Sequence, residues 1–362
     1  MTLKPSINWL LAFVPVTVIL ERIDGIAPPV VFFSAALSIV PIASLIVHAT
    51  EQLSTRTGEA VGGLLNATFG NAPELIIAIV ALRAGMLDLV RASIIGAILA
   101  NLLLALGLSF LLGGLRHKDQ EYNAGAARMY SSMMLLAVIC LIVPSAFERY
   151  FAAEEYVPQV RALNTRVALV LLATYGLYLL FQLRTHPHLF RSAGPAGSPH
   201  EAGHAWSLPR ALGSLVGASV LAAWMSEILV GAAEGTGQAL GMSEAFIGLV
   251  VVAVVGGAAE SLSAISAAGK NRLDLTMGIV FGSCIQIALF IAPVLVLISG
   301  FVAPETLQLS FPRAQLGFLL FGVLIGTVIA GDGRGNWYKG VQLVVVYVMM
   351  AVMLALVPGA AP

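Results

Sequence analysis

The chain has 362 residues, of which 59% are hydrophobic and only 10% are charged, and its 19 basic residues balance its 19 acidic residues. A soluble globular protein carries about 25% charged residues, so this composition excludes a chain that faces water on every side and predicts an integral membrane protein. The zero net charge and the lack of a long basic run argue against a nucleic-acid partner. No GxxxxGK[ST] loop occurs in the sequence, so it lacks the phosphate-binding loop that most often serves transport driven by ATP.

Eleven apolar stretches are predicted to span the membrane, because each approaches the roughly 20 residues that a span needs. The first is expected to be a retained span and not a signal peptide, since no small-residue cleavage site follows it. The widest polar break, residues 185–207, separates two halves of similar size. The stretches lie at residues 7–25, 27–48, 60–82, 90–114, 128–147, 167–184, 210–233, 244–268, 275–300, 314–331 and 340–358.

The orientation follows from the basic residues in the loops. Twelve Lys and Arg residues lie on the side that holds the N-terminus and the central linker, and seven lie on the other side. Cytoplasmic loops carry the excess of Lys and Arg. We therefore predict a multi-pass protein of the cell (inner) membrane with a cytoplasmic N-terminus.

The third and eighth stretches each contain a glutamate within an apolar run. Glu74 lies in GNAPEL and Glu260 lies in GGAAES, although a charged side chain at the bilayer centre costs about 2.5–3.5 kcal/mol. The two glutamates are 186 positions apart, and other special residues repeat at the same offset. The pairs are Gly62 with Gly248, Gly70 with Gly256, Ala72 with Ala258, Asp88 with Asp274, and Gly96 with Gly282.

This internal repeat is predicted to be inverted. Five spans separate the two motifs, so the two copies cross the membrane in opposite directions and both glutamates arrive near its middle. Inverted repeats that meet at a midplane site are a recurring construction of secondary transporters. We predict a leading helix in residues 1–26, a first five-helix repeat in 27–184, a cytoplasmic linker in 185–207 and a second five-helix repeat in 208–362.

The residues around both glutamates predict broken helices. Gly70 and Pro73 precede Glu74, and Gly256 and Gly257 precede Glu260. Proline removes a backbone donor and frees a carbonyl one turn back, and Ca²⁺ takes about 6–8 oxygen ligands from carboxylates, carbonyls and water. Glycines in apolar helices also serve ordinary close packing. A glutamate paired with a buried basic residue is disfavoured, because no Lys or Arg lies inside either stretch.

Two carboxylates at the middle of the membrane predict coupled exchange. Two bare charges there are disfavoured by desolvation and mutual repulsion, and either two protons or one divalent cation removes both charges. A site that is neutral in either loaded form can cross between inward-facing and outward-facing forms, whereas the empty dianion should not. Exchange without leak would follow from these electrostatics.

At these motifs the sequence resembles the calcium/proton exchanger family of the cation/calcium exchanger superfamily. The stretches GGLLNATFGNAPELIIAIVALRAG and FIGLVVVAVVGGAAES carry the likeness, which extends over most of the chain. The resemblance implies an all-α protein with one leading helix and two inverted five-helix repeats, in which Glu74 and Glu260 hold the metal or protons in turn. It implies further ion-binding positions at Asn71, Asn101, Ser283, Gln286, Gly70 and Gly256.

The chain also departs from the family pattern. Gly257 stands where the second motif usually has Asn, and Ser261, Ala253 and Ala100 replace a common His, Pro and Ser. These departures weaken the expectation of calcium selectivity more than the expectation of exchange. The linker lacks the family's acidic segment and contains four histidines that either sense pH or bind metal or, as favoured here, are merely solvated: His186, His188, His200 and His204.

Other carboxylates are candidates for the ion pathway. Glu51 and Glu234 end the second and seventh stretches, where they either attract cations or are plain interfacial charges. Glu227 lies deeper and is a candidate proton relay. Asp88 and Asp274 are expected to cap the helices that follow them.

These features together predict a secondary transporter that exchanges Ca²⁺ for H⁺ across the lipid bilayer, with no cofactor beyond the transported ions and no enzymatic activity. A Na⁺ or K⁺/H⁺ exchanger of the same fold is the first alternative, made plausible by Gly257. A cation channel lined by carboxylates is a second alternative. An intramembrane enzyme is disfavoured, because no His/Asp/Ser or HExxH arrangement lies within the spans.

Overall fold

The computed structural model describes residues 7–57, 59–150, 157–190 and 206–356, which are almost entirely helical. Two short strands, β1 (Asp119–Glu121) and β2 (Arg334–Asn336), form an antiparallel pair. The helices in chain order are α1 (Ile7–Glu21), α2 (Pro28–Thr57), α3 (Glu59–Phe69), α4 (Ala72–Arg83), α5 (Leu87–His117), α6 (Ala124–Tyr150), α7 (Pro158–Thr185), α8 (Leu208–Leu240), α9 (Glu244–Gly256), α10 (Ala258–Gly269), α11 (Leu273–Val302), α12 (Arg313–Ile329) and α13 (Trp337–Ala355).

Among the described residues, seven helices are long and apolar enough to cross a membrane, and one bent pair would make an eighth span. The seven are α2, α5, α6, α7, α8, α11 and α13, and the bent pair is α9 with α10. The apolar helices α1 and α12 are shorter. The protein is therefore an all-α multi-pass membrane protein, as predicted. The count of eleven spans and the boundaries of the repeats stay predictions.

Both stretches that carry a predicted midplane glutamate are broken. Helix α3 ends at Phe69, and Gly70 and Asn71 lie between α3 and α4. Pro73 follows in the first turn of α4, where its missing N–H costs no helical hydrogen bond. Gly257 separates α9 from α10, and the two helix axes differ by 57°. The predicted helix breaks are thus present in both motifs.

Helices α5 and α11 form the centre of the bundle. The most apolar part of α5 is 83% buried, and that of α11 is 61% buried. Each helix widens into a π-helical turn at equivalent positions of the repeat, Ala100–Ala105 in α5 and Ile287–Ile291 in α11. Such turns occur mostly at functional sites. Here they bring Asn101 and Gln286 level with the two helix breaks.

The strand pair connects loops that are distant in the sequence. Gln120 at the centre of β1 lies opposite Gly335. The side chain of Gln120 donates hydrogen bonds from Nε2 to the carbonyl oxygen of Ala268 at 2.9 Å and to Oδ1 of Asn271 at 2.8 Å. These bonds hold the end of α10 against the loops that follow α5 and α12.

Two predictions about polar residues are wrong. Asp88 and Asp274 do not cap helices, because they lie inside the first turn and the N-cap positions are Met86 and Arg272. Asp88 accepts a hydrogen bond from Nη1 of Arg91 at 2.7 Å, and Asp274 accepts one from the backbone N–H of Asn123 at 2.7 Å. Asp88 therefore pairs with a side chain of its own helix, and Asp274 pairs with the backbone of a loop.

The start of the central linker is more ordered than a flexible connection. The ring of His186 stacks on Phe181 with centroids 4.3 Å apart, and Pro187–Leu189 forms one helical turn. The Phe190 ring packs 5.4 Å from the ring of Tyr130. This packing orders residues 186–190, while His186 and His188 are exposed, in agreement with the expectation that these histidines are solvated. His200 and His204 lie outside the described residues.

Candidate ion-binding site

Glu74 and Glu260, the two glutamates predicted to lie at the midplane, occupy matching positions on two half-helices. Glu74 is the third residue of α4, and Glu260 is the third residue of α10. The first turn of a helix has unpaired N–H groups and the positive end of the helix dipole, which favour a carboxylate. Each helix break therefore creates a local environment that offsets part of the cost of burying the charge.

Each glutamate lies against the glycine of the other motif. A methyl group placed on Gly256 would lie 3.1 Å from Cγ of Glu74. A methyl group placed on Gly70 would lie 3.8 Å from Oε1 of Glu260 and 3.4 Å from Oε1 of Gln286. These reciprocal contacts join the two repeats at one place. A larger residue at either glycine would fill the space beside a carboxylate.

Three of the four carboxylate oxygens lack a hydrogen-bond partner in the described part of the chain. Both carboxylate oxygens of Glu74 and Oε2 of Glu260 are buried without a partner among the described residues. An unpartnered ionised carboxylate in an apolar environment is strongly unfavourable. These three oxygen atoms therefore need either protons or a bound cation.

A chain of hydrogen bonds between the repeats surrounds the glutamates. Asn71 donates from Nδ2 to Oε1 of Gln286 at 2.8 Å, and Ser283 donates to Oδ1 of Asn71 at 2.6 Å. Asn101 donates from Nδ2 to Oγ of Ser283 at 2.9 Å. All four side chains are 5% exposed or less. The structure thus brings together the four polar residues that were predicted to accompany the glutamates.

A cavity of about 240 Å³ opens beside Glu260. Its wall is formed by the loop between α3 and α4 and by parts of α2, α3, α7, α10 and α11. Glu51 lies at this cavity, with Oε2 3.8 Å from Nδ1 of His48. Among the lining residues are Glu51, Asn66, Gly70, Asn71, Tyr178, Gln182, Glu260, Gly278, Gly282, Ser283 and Gln286.

The space beside Glu74 is much smaller and mostly apolar. It measures about 20 Å³, which is room for about one water molecule. Apart from Glu74 and Ser93, the residues that line it are apolar: Ile77, Ala78, Ile94, Ala97, Val252, Ala253, Gly256, Ile287 and Ile291. One glutamate therefore borders a larger cavity with many polar lining residues, and the other borders a small, mostly apolar space.

The glycines of the two repeats show the same asymmetry as the two cavities. Gly96 of α5 packs directly on the backbone of Leu249, and a methyl group on Gly248 would lie 2.8 Å from Cβ of Ala92. The repeat equivalents of this pair are Gly282 and Gly62. Gly282 has open space beside it and lines the 240 Å³ cavity. The helix pair α5–α9 is thus tightly closed, whereas the equivalent pair α11–α3 is separated next to Gly282.

The carboxylates predicted for the ion pathway are divided. Glu51 lines the open cavity, whereas Glu227 and Glu234 are exposed on α8 and line neither of the two cavities beside the glutamates. Oε1 of Glu234 accepts a hydrogen bond from Gln238 at 3.3 Å. A role for any of the three in the pathway stays a prediction.

Sequence reasoning missed several residues of the cavity wall. Asn66, Tyr178 and Gln182 line the cavity but were not predicted as site residues. Asn66 lies four residues before Gly70, so helical spacing places it on the same face as that glycine. That spacing was a usable signal. Nothing in the local sequence indicates that α7 contributes Tyr178 and Gln182.

Broken helices that meet in inverted orientation, each with a buried carboxylate at its break, define the class of this molecule: a multi-pass membrane protein of the cation-exchanger fold. The chain belongs to the sodium/calcium exchanger protein family, whose model matches residues 27–184 and 210–356. The predicted family relationship is confirmed.

Similar proteins cover nearly the whole chain. A protein of Aphanothece halophytica named Ca²⁺/H⁺ antiporter is 38% identical over 94% of this chain and 94% of its own length. The Ca²⁺/H⁺ antiporter ChaA of Bacillus subtilis (strain 168) is 39% identical over 90% of this chain and 92% of its own length. The solved structure of native YfkE is 35% identical and superposes with a TM-score of 0.83, over 97% of this chain and 100% of YfkE.

Proposed function

We propose that this protein is a secondary transporter that exchanges Ca²⁺ for H⁺, with Glu74 and Glu260 binding one Ca²⁺ or two protons in turn. The observation that carries the proposal is the pair of buried carboxylates, one from each repeat, of whose four oxygens three have no partner among the described residues. The names of the relatives in Aphanothece halophytica and Bacillus subtilis support the choice of ions.

The charge of the site accounts for coupling. Two carboxylates carry two negative charges, which one Ca²⁺ or two protons neutralise. Moving the empty dianion through the low-dielectric centre of the protein is unfavourable. The protein therefore changes conformation in its two loaded forms and not in its empty form. Each unit of pH difference supplies about 1.4 kcal/mol per proton for moving the cation.

The oxygen atoms near the glutamates suit a hard cation. Ca²⁺ prefers carboxylate, amide-carbonyl and water oxygens. Asn71, Asn101, Ser283 and Gln286 offer amide and hydroxyl oxygens, and their mutual hydrogen bonds fix where those oxygens lie. Gly70 and Gly256 leave room for the cation between the motifs. A shift in these hydrogen bonds would accompany binding.

Alternating access would exchange the two glycine contacts. In this structure Gly96 and Gly248 each pack closely on the helix that carries the other, and Gly282 has open space beside it. In the opposite form Gly282 would close on the helix that carries Gly62, and Gly96 would separate from Leu249. By the distribution of Lys and Arg, the open cavity with Glu51 faces the cytoplasm, so this structure is the inward-open form.

Transport assays in vesicles test the proposal. The protein is reconstituted into liposomes with an imposed pH gradient, and ⁴⁵Ca²⁺ uptake and internal pH are recorded together. We expect Ca²⁺ uptake that requires the gradient and dissipates it. Liposomes with the Glu74→Gln/Glu260→Gln double variant are the matched control, because the variant keeps side-chain volume but removes both charges.

The same assay separates the alternatives. If Na⁺ or K⁺ dissipates the gradient and Ca²⁺ does not, the protein is a monovalent cation exchanger, and Gly257 explains the change of ion. If Ca²⁺ crosses as an electrical current that is independent of the pH gradient, the protein is a channel. Either result would contradict Ca²⁺/H⁺ exchange.

A further inference from the structure

A second, positively charged groove lies on the outer side of α10. It has a volume of about 410 Å³ and lies between α1, α2, α10 and the start of α11. Lys270 and Arg272 lie at its polar end, and the hydroxyl groups of Ser44, Ser263 and Ser266 line its middle. Its remaining wall is apolar and consists of Ile7, Ala259, Leu262, Ala267 and Leu275.

The two basic side chains have no acidic partner. Within the described ranges no carboxylate oxygen lies within 4 Å of either one, whereas Lys339 pairs with Asp332 at 2.6 Å and Arg91 pairs with Asp88 at 2.7 Å. The Ser266 hydroxyl likewise makes no hydrogen bond to the described part of the chain. Three donors are therefore left to bind an anion that the described part of the chain does not supply.

The depth of the groove matches the boundary between lipid tails and headgroups. Helix α10 begins at the level of the midplane site, and its 12 residues rise about 18 Å. Half of the hydrocarbon core is about 15 Å thick. Lys270 and Arg272 therefore lie just beyond the hydrocarbon, while Leu262 and Leu275, which are 48% and 39% exposed, lie within it.

We propose that this groove binds the headgroup phosphate of an anionic phospholipid. Arg272 and Lys270 bind the phosphate oxygens, for which an Arg fork and a Lys ammonium are suited. The Ser266 hydroxyl donates to a further headgroup oxygen, and the acyl chains lie along Leu262 and Leu275. Basic pockets between membrane helices are a known form of lipid-headgroup site.

The site would act on the neighbouring ion cavity through charge. Ser263 lines both the groove and the 240 Å³ cavity, so a single helix separates the two. Two unpaired positive charges next to a cation cavity repel the cation. A bound phosphate neutralises that repulsion. The proposal concerns lipid binding alone and does not depend on which cation is transported.

A binding experiment tests the groove directly. The purified full chain in neutral detergent is titrated with a short-chain phosphatidylglycerol, and bound lipid is counted by native mass spectrometry. The Lys270→Gln/Arg272→Gln variant should bind the lipid about fivefold more weakly for each charge removed, and so roughly 25-fold more weakly in total. The matched control is Arg128→Gln/Arg184→Gln, which removes two exposed charges on helices that do not line the groove and should bind like the parent.

Further measurements identify the source of the anion and check that each variant is folded. Phosphatidylcholine and inorganic phosphate at the same concentrations should not compete. The circular dichroism spectrum of each variant checks that it is folded. Equal losses in the test and control variants would overturn a specific site, since only general surface charge would then matter. Competition by inorganic phosphate would overturn the lipid assignment in favour of a small-anion site.

Discussion

The two copies of the glutamate motif share a sequence pattern but lie in different surroundings. Glu260 borders a polar cavity of about 240 Å³, whereas Glu74 borders an apolar space of about 20 Å³. An inverted repeat caught in one conformation must be asymmetric, because one side is open while the other is closed. In the proposed alternating-access cycle, part of the difference is conformational and is expected to reverse.

Another part of the difference is chemical and should not reverse. Ser283 and Gln286 beside Glu260 correspond by the 186-residue offset to Ala97 and Ala100, and Asn71 corresponds to Gly257. The amide and hydroxyl groups are thus concentrated on α11 and the first motif. Asn101 on α5 is the exception, because its repeat counterpart is Ile287. The two glutamates are therefore related by symmetry without being equivalent.

The largest effect is expected from removing either charge. Glu74→Gln and Glu260→Gln each leave one carboxylate, so a bound Ca²⁺ would keep a net charge of +1 in a buried site. Breaking a buried charge pair costs about 3–5 kcal/mol, which corresponds to a loss of Ca²⁺-dependent proton flux of more than 100-fold. Glu→Asp changes at the same positions keep the charge, shorten the reach and should impair transport without abolishing it.

This first prediction is measured as flux per inserted protein in vesicles, with insertion quantified separately for all four variants. If either Gln variant transports Ca²⁺ near the parental rate, the paired-carboxylate mechanism is wrong. If only one of the two positions matters, the chemical asymmetry of the two motifs dominates over their symmetry.

The second prediction sets the closed glycine contact against its open equivalent. Gly96→Ala places a methyl group into the backbone of Leu249 and should destabilise the fold by about 1–3 kcal/mol. Gly282→Leu places a side chain in open space, so stability should change by less than about 0.5 kcal/mol, while closure of the cavity is blocked and flux falls at least about tenfold. Thermal unfolding and vesicle flux are measured for both variants.

Each half of this prediction has an outcome that would contradict it. A Gly282→Leu variant that transports normally would show that α11 does not close on α3 during the cycle. A Gly96→Ala variant as stable as the parent would show that the α5–α9 contact is looser than the structure indicates.

The third prediction compares access to the two cavities. In a Cys140→Ala/Cys284→Ala background, Gly278→Cys introduces a thiol into the open cavity, where the nearest atom, the Tyr130 hydroxyl, leaves room at 3.7 Å. Ser93→Cys introduces one into the closed space. A membrane-impermeant thiol reagent should modify the first about tenfold or more faster, from the cytoplasmic face only. Equal rates, or modification from the opposite face, would contradict the proposed orientation.

The smallest effect is expected at Gly257, the position where the family usually has Asn. A methyl group there would lie 3.6 Å from both Oε1 of Glu74 and Oδ1 of Asn101, which is ordinary contact, so the larger side chain should fit. Gly257→Asn adds one amide oxygen to the second motif, at the position where the first motif has Asn71. The apparent affinity for Ca²⁺ should rise about two- to tenfold, in line with about 0.5–1.5 kcal/mol for one polar contact.

Gly257→Ala is the control, because it fills the space without adding an oxygen and should leave the affinity unchanged. Equal effects of Ala and Asn would mean that packing, not the missing amide, sets the affinity. Flux is recorded as a function of Ca²⁺, Na⁺ and K⁺ concentration, so that a change in selectivity appears in the same measurement.

Much of this molecule follows from the sequence alone. Hydropathy identified it as a membrane protein, because a chain with 10% charged residues has too little polar surface for water. The 186-residue offset paired Glu74 with Glu260, and Gly70, Pro73 and Gly257 predicted the helix breaks, because the local chemistry of glycine and proline acts within one helical turn. Four polar partners were reached through family resemblance.

Only the tertiary structure decided which side of the site is open and what surrounds each glutamate. Tyr178 and Gln182 reach the cavity from α7 through packing between distant segments, which no local pattern encodes. The predicted roles of Asp88 and Asp274 were wrong because their partners, Arg91 and the backbone of Asn123, depend on the conformations of the turns and loops. Local propensity specifies where a helix breaks, but the free energies of packing and desolvation across the whole bundle decide which breaks meet and which of them water can reach.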